Sequence, residues 1–203
     1  ENGGRVGHDI VALAEVHAAA VEGADLGPQL LDMGEALRRA DEVGAGGKGQ
    51  GCVDRAQHEI AAHAGVPVAA SSLMQVPWVQ ATLPPGKRVG LVTVCASSLT
   101  PAHLAAAGVP AGTPVAGTEN GREFFRVLVR AEKEDLDVDA AERDVLDAGR
   151  GLVARHPEVG AIVLECTNMP PYAAALREAV GLPVHDVYSM IAWFHAGLRP
   201  RAF

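Results

Sequence analysis

Three cysteines, at positions 52, 95 and 166, carry most of the chemistry this sequence can offer. The last has the most telling surroundings. Cys166 follows the run Ile162-Val163-Leu164-Glu165 and precedes Thr167-Asn168, the pair Pro170-Pro171 and an alanine-rich segment. A short apolar run bounded this way reads as a buried strand over residues 160–165. Proline in the first turn of a helix loses no hydrogen bond, so the pair opens a helix. Cys166 is therefore expected at the carboxyl end of a parallel strand beside a helix N-terminus, where open α/β sheets bind ligands. Backbone N–H groups and the helix dipole there favour anions. They also draw a thiol from its usual pKa of about 8.5 toward neutrality, which makes the sulfur a candidate acid/base. The competing reading is a packed, inert cysteine, since cysteines are commonly buried.

The elements that must position these thiols can be read along the chain. Helical spacing of apolar residues predicts helices over residues 8–22 and 27–43. Next comes Gly44-Ala45-Gly46-Gly47-Lys48-Gly49-Gln50-Gly51-Cys52. It holds a G-x-G-x-x-G pattern, but helix rather than strand precedes it, and Lys48 is followed by Gly49 instead of Ser or Thr. A flexible glycine linker is the better reading than a nucleotide-binding turn. A helix is expected over residues 54–64, a short strand over 66–69 and a helical stretch over 73–83 broken by Pro77. Ser71 and Ser72 between them are helix caps or hydroxyls at a site.

Pro84-Pro85-Gly86 is the clearest boundary in the chain. Beyond it a fresh strand, residues 89–95, ends in Cys95 and leads through Thr100-Pro101 into an Ala-rich helix. The segment from 159 to 181 repeats this grammar, which sets two thiols at strand tips of one sheet. Cys95 is a candidate site residue or a packed, pocket-lining thiol. A weak strand over 114–117 and helices over 123–129 and 140–155 follow; the acidic residues from 132 to 144 read as a solvated face without metal-ligand spacing. His185 and Asp186 stand at the tip of a last short strand, where His185 is either a partner for Cys166 or structural.

Composition sets outer limits. With 203 residues and 48% apolar content but only 4% aromatics, the core must be built from Ala, Val, Leu and Ile. A net charge of −8 and the lack of any Lys/Arg run argue against nucleic acid as a partner. Three irregularly spaced cysteines suggest a reducing cytoplasm rather than a disulfide framework. No apolar run approaches the roughly 18 residues of a membrane span. No signal-peptide pattern is seen, and the chain opens at Glu1 rather than methionine, so an absent upstream segment is one expectation. Met190, Ile191, Trp193 and Phe194 make the tail apolar enough to pack on a domain or a second subunit, and a homo-oligomer such as a dimer is expected.

Ser71-Ser72-Leu73-Met74-Gln75-Val76-Pro77, residues 89–104 and above all Glu165-Cys166-Thr167-Asn168-Met169-Pro170-Pro171-Tyr172 resemble the aspartate/glutamate racemase superfamily. The resemblance covers roughly residues 59–203. It implies two Rossmann-like parallel-sheet domains related by a pseudo-twofold, with the active site in the cleft between them and no cofactor or metal. The first domain is expected over residues 1–86 and the second over 87–184, with the tail 185–203 returning to pack on the first. By the resemblance Cys166 is the second-domain acid/base, Thr167 and Asn168 help hold a substrate carboxylate, and Ser71 and Ser72 lie near the cleft. The implied activity is cofactor-independent racemisation or epimerisation of a small amino acid or related carboxylate, an isomerase reaction needing one thiol on each face of the stereocentre.

The first thiol departs from the pattern. It should fall near Gln50 at the tip of an apolar strand, whereas Cys52 comes about two residues later with no such strand before it. Either Cys52 serves after a local shift, or the protein is a one-cysteine decarboxylase or lyase of the same superfamily, or the N-terminal third is altered. A non-catalytic carboxylate-binding protein is the alternative of a different class.

Overall fold

The structure is a computed structural model, and it describes residues 67–198 together with residues 57, 61 and 62. The helices expected over 8–22 and 27–43, the glycine segment, Cys52 and most of the helix expected over 54–64 lie outside the described residues. The chain divides into two compact units, Glu1–Ala70 and Ser71–Phe203. In the first, residues 67–70 form no strand. The side-chain amide of Gln57 donates to the Val68 carbonyl and accepts from the Ala70 N–H, both at 2.9 Å.

The second unit is built on a four-stranded, wholly parallel sheet. Its strands are β1 (Arg88–Thr93), β2 (Val115–Gly117), β3 (Val159–Leu164) and β4 (Val184–His185), in the order β2-β1-β3-β4. Among the described residues six α-helices accompany them: α1 (Val76–Thr82), α2 (Pro101–Ala106), α3 (Phe124–Leu128), α4 (Val138–Arg155), α5 (Ala173–Val180) and α6 (Val187–Leu198). The central strands β1 and β3 are buried on both faces, which is why they read as unbroken apolar runs rather than alternating ones.

Alternate residues of these strands feed two separate cores. Val92, Ile162 and Leu164 pack with Phe124, Ala141, Val145, Leu152 and Leu176 from α3, α4 and α5. Val89, Leu91, Ala161 and Val163 pack on the other face with Leu73, Val76, Val79, Leu99 and Val109. Chain direction explains the two layers. From β1 the path moves one way through α2 to β2, then crosses back through α4 to β3 and on through α5 to β4. Right-handed crossovers in opposite directions must run over opposite faces. The reversal leaves a topological switch point at the carboxyl ends of β1 and β3, the customary ligand crevice of such sheets.

Two local departures from expectation have physical causes, and one irregularity marks the sheet. Pro77 does not interrupt a helix; a 3-10 turn over Ser72–Gln75 comes first, and Pro77 sits in the first turn of α1. Pro170 and Pro171 form a 3-10 turn with Tyr172, so α5 starts only at Ala173 and ends on left-handed Gly181. One residue of β3 is out of step with β1, between the pairs Arg88–Val159 and Val89–Ala161.

Close packing at mid-sheet makes a stability prediction. A Cβ on Gly90 would lie 2.8 Å from Leu152 Cδ2 and 3.1 and 3.2 Å from the Val159 methyls. Leu152 is fully buried, so it has little room to yield. Gly90→Ala is expected to destabilise the unit by about 1–3 kcal/mol through overpacking, read as a lower urea midpoint at an unchanged slope.

Candidate active site

Both strand tips at the switch point end in a thiol. Cys95 stands two residues beyond the end of β1, and Cys166 two residues beyond the end of β3. Their surroundings differ. Cys166 is 3% exposed and belongs to the apolar cluster beneath α4 and α5, with Met169 and Tyr172 beside it. Cys95 is half-buried and lies 3.2 Å from the Ser97 hydroxyl.

After Cys166 the chain turns at once, the Met169 N–H donating to the Cys166 carbonyl at 3.1 Å. Inside this turn the Asn168 N–H points to Cys166 Sγ at 3.5 Å. A backbone donor aimed at sulfur stabilises the charge that a thiolate carries. Thr167 is half-buried and Asn168 exposed. The turn is buttressed from below by Tyr172, whose ring meets Phe124 edge-to-face at 5.8 Å.

A second set of groups holds the β3 tip from the other face. The Ser72 hydroxyl lies 2.9 Å from the Leu164 carbonyl and 3.0 Å from that of Glu165, its one proton shared between them. Ser71 acts as a cap: its hydroxyl oxygen accepts the Leu73 N–H at 3.2 Å. Gln75, at the end of the same turn, donates to the Asp186 carbonyl at 2.9 Å. The Ser72–Gln75 turn therefore spans the ends of both β3 and β4. Asp186 in turn caps α6, accepting the Ser189 N–H at 2.7 Å while its own N–H donates to the Ser189 hydroxyl at 3.0 Å.

Two buried polar residues here carry no signal that sequence reading could isolate. Glu165 is 3% exposed and its Oε2 accepts the Thr93 hydroxyl at 2.8 Å. Glu165 is visible in the sequence only as part of the motif that contains Cys166. Thr93 is one more residue of an apolar strand. Their pairing needs the register of β1 on β3, which no local pattern reports.

His185 is set apart from the thiol. In the ladder it is level with Val163, whose side chain belongs to the other core from that of Cys166. Burial holds its imidazole below the ordinary value of 6.5, with nearby Asp186 acting in the opposite sense. A lowered folded value means that the unfolded chain takes up the proton first. Stability is then fully present above about pH 6.5 and falls as the pH drops through the folded value. Urea midpoints measured between pH 7.5 and 5.5 should decline, and His185→Gln should flatten part of that decline.

Among the described residues no group of three or more His, Cys, Asp or Glu side chains is placed to hold a metal ion, and no helix is long and apolar enough to cross a membrane.

No family model matches the chain. Curated proteins do. The chain is 29% identical over 147 residues to a dimethylsulfoniopropionate lyase of Durusdinium sp. clade D, covering 70% of this chain and 48% of that protein. It is 30% identical over 139 residues to dimethylsulfoniopropionate lyase 5 of Emiliania huxleyi (strain CCMP1516), covering 64% of this chain and 27% of that protein. Dimethylsulfoniopropionate lyase 3 of the same organism is 33% identical over 130 residues, covering 59% and 33%. These relatives are lyases. The chain spans about half of their length or less.

This finding corrects the sequence-based expectation. A place in the aspartate/glutamate racemase superfamily, and with it an isomerase that racemises or epimerises an amino acid, is overturned by relatives that bear a lyase name. The lyase alternative fits them better. The physical reason for the misreading is that racemisation and elimination can begin with the same step, a thiolate removing a proton next to a carboxylate. A strand-tip cysteine with polar neighbours suits either reaction. The fate of the carbanion is not written in those residues.

Proposed function

We propose that this chain is a cysteine-dependent lyase that cleaves a carboxylate bearing a sulfonium leaving group on the β-carbon, of the dimethylsulfoniopropionate type. The observation that carries the reading is the shared lyase name of relatives aligned over 59–70% of this chain. Cys166 supplies the chemistry. Its thiolate takes a proton from the carbon next to the carboxylate, and the C–H electron pair becomes the new carbon–carbon double bond. The bond from the β-carbon to sulfur breaks with its electrons leaving on dimethyl sulfide, and acrylate remains. The thiol then returns its proton to solvent. Atoms and charge balance without oxidant, metal or cofactor.

A sulfonium departs as a neutral sulfide and needs no proton, so the acid that racemisation requires on the opposite face is not demanded by elimination. What the reaction does need is stabilisation of the enolate-like charge that builds on the carboxylate. Thr167 and Asn168 are assigned that role here, beside the backbone donors of the turn. Cys95 and the Ser71–Ser72 segment line the same strand ends. The two-domain arrangement with a cleft, and assembly into a homo-oligomer, stand as proposals beside this one.

The reading is tested by incubating the full chain with dimethylsulfoniopropionate and, separately, with its carboxamide analogue, and measuring dimethyl sulfide in the headspace. Release from the acid and far slower release from the amide support a carboxylate-directed elimination. Equal rates sink the assigned carboxylate site, and no release from either sinks the lyase reading. Cys52→Ala reports on the expected first thiol: turnover that survives it leaves Cys166 as the single acid/base, and turnover lost makes the pair necessary.

A further inference from the structure

We infer that Glu165 is a positioning residue for Cys166, acting through its hydrogen bond with Thr93. The inference deepens the lyase reading and rests on Cys166 as its acid/base. Glu165 is 3% exposed, and a carboxyl group is costly to bury unless it is hydrogen-bonded. Three polar groups of this residue are gripped by elements other than its own strand. Its N–H donates to the Val92 carbonyl of β1 at 2.9 Å. Its carbonyl accepts from the Ser72 hydroxyl at 3.0 Å. Its carboxyl oxygen Oε2 accepts from the Thr93 hydroxyl, also of β1, at 2.8 Å. Thr93 is itself 3% exposed.

The residue so held is the one that immediately precedes the thiol. Backbone torsions at Glu165 set the direction in which Cys166 leaves the sheet. They also set where the following turn brings the Asn168 N–H against Sγ. Side chains of residues 165 and 166 leave opposite faces of the strand. The carboxyl group therefore acts from the face away from Cys166 and steers it through the backbone. Reactive groups must be held to within a fraction of an ångström, so a small rotation at this peptide is felt in turnover before it is felt in binding.

The test uses the full chain as wild type, Glu165→Gln, Glu165→Leu and Thr93→Val, with two readouts. The first is kcat and KM for dimethyl sulfide release from dimethylsulfoniopropionate. The second is the rate of iodoacetamide labelling at Cys166, resolved by peptide mass spectrometry, with Cys95 labelling as the internal control. Glu165→Gln keeps an oxygen that accepts from Thr93, so both readouts should stay within about threefold of wild type. Glu165→Leu should lower kcat by about thirtyfold with KM within about threefold, and change Cys166 labelling by about fivefold or more while Cys95 labelling holds. Thr93→Val removes only the donor and should lower kcat by about tenfold; it carries the test if the leucine variant yields no folded protein. Wild-type kcat and labelling in Thr93→Val and Glu165→Leu overturn the inference, as does a glutamine variant impaired as deeply as the leucine one. Should the wild type release no dimethyl sulfide, the labelling comparison still decides the positioning role, and only the lyase reading fails.

Discussion

Cys166→Ala is expected to lower kcat/KM for dimethyl sulfide release by about a thousandfold or more. The magnitude follows from the role assigned. A positioned base that accepts the proton in the transition state contributes roughly a hundred- to ten-thousandfold, and alanine leaves no group at the β3 tip to replace it. Cys166→Ser is a sharper comparison, since it keeps the size of the side chain and the backbone turn that brings Asn168 N–H to within 3.5 Å of the sulfur position. A hydroxyl is a far weaker acid than a thiol, so the serine variant should be nearly as impaired as alanine. Substrate binding should survive in both if Thr167 and Asn168 hold the carboxylate as proposed. Retained turnover in the serine variant would mean that Cys166 packs rather than reacts. That is the inert-cysteine alternative that burial alone leaves open.

The second large effect concerns stability and lies away from the thiols. Asp144, on α4, is 8% exposed and accepts three backbone N–H groups, from Arg122 at 3.0 Å, Glu123 at 2.7 Å and Phe124 at 2.9 Å. These are orphan donors at the start of α3, whose own N-cap, Glu123, makes no side-chain cap bond. A carboxylate from another helix thus does the capping, and the helix dipole adds to the attraction. Asp144→Ala strands all three donors. The expected cost is about 2–3 kcal/mol, since the Glu123 and Phe124 N–H groups are buried and each left unpaired costs on the order of 1 kcal/mol or more, while that of exposed Arg122 can turn to water. Chemical unfolding of the variant against wild type measures it. The consequence reaches the site indirectly: Phe124, released from its cap, supports Tyr172, and Tyr172 supports the turn that follows Cys166. Loss of activity in Asp144→Ala should therefore track loss of folded protein, unlike that in Cys166→Ala.

These two residues also mark what could and could not be read in advance. The place of Cys166 at a strand tip was legible because the grammar of a buried parallel strand is local: an apolar run, small polar residues, then proline. The strands 88–93 and 159–164 and the cap pair Thr100-Pro101 were legible for the same reason. Asp144 was not. It sits in an acidic stretch that reads as a solvated face, and only the fold shows that its carboxylate is turned inward onto another helix. Glu123, likewise buried, is held by Lys133 at 2.7 Å and by the Asp137 N–H at 3.0 Å. The Asp137 N–H, followed by Lys133, lowers its pKa below the usual carboxylate value. Partners distant in sequence decide such residues, and periodicity carries no trace of them. The exchange of lyase for racemase has a different origin, since it concerns what leaves the substrate rather than what the chain presents to it.

The most direct measurement is proton NMR of the full chain in D2O with dimethylsulfoniopropionate and, in parallel, with a panel of amino and dicarboxylic acids. The lyase account predicts acrylate and dimethyl sulfide in equal amounts from the sulfonium acid, abolished in Cys166→Ala. Deuterium entering at the α-carbon of an amino acid, with no bond to a leaving group broken, would contradict it.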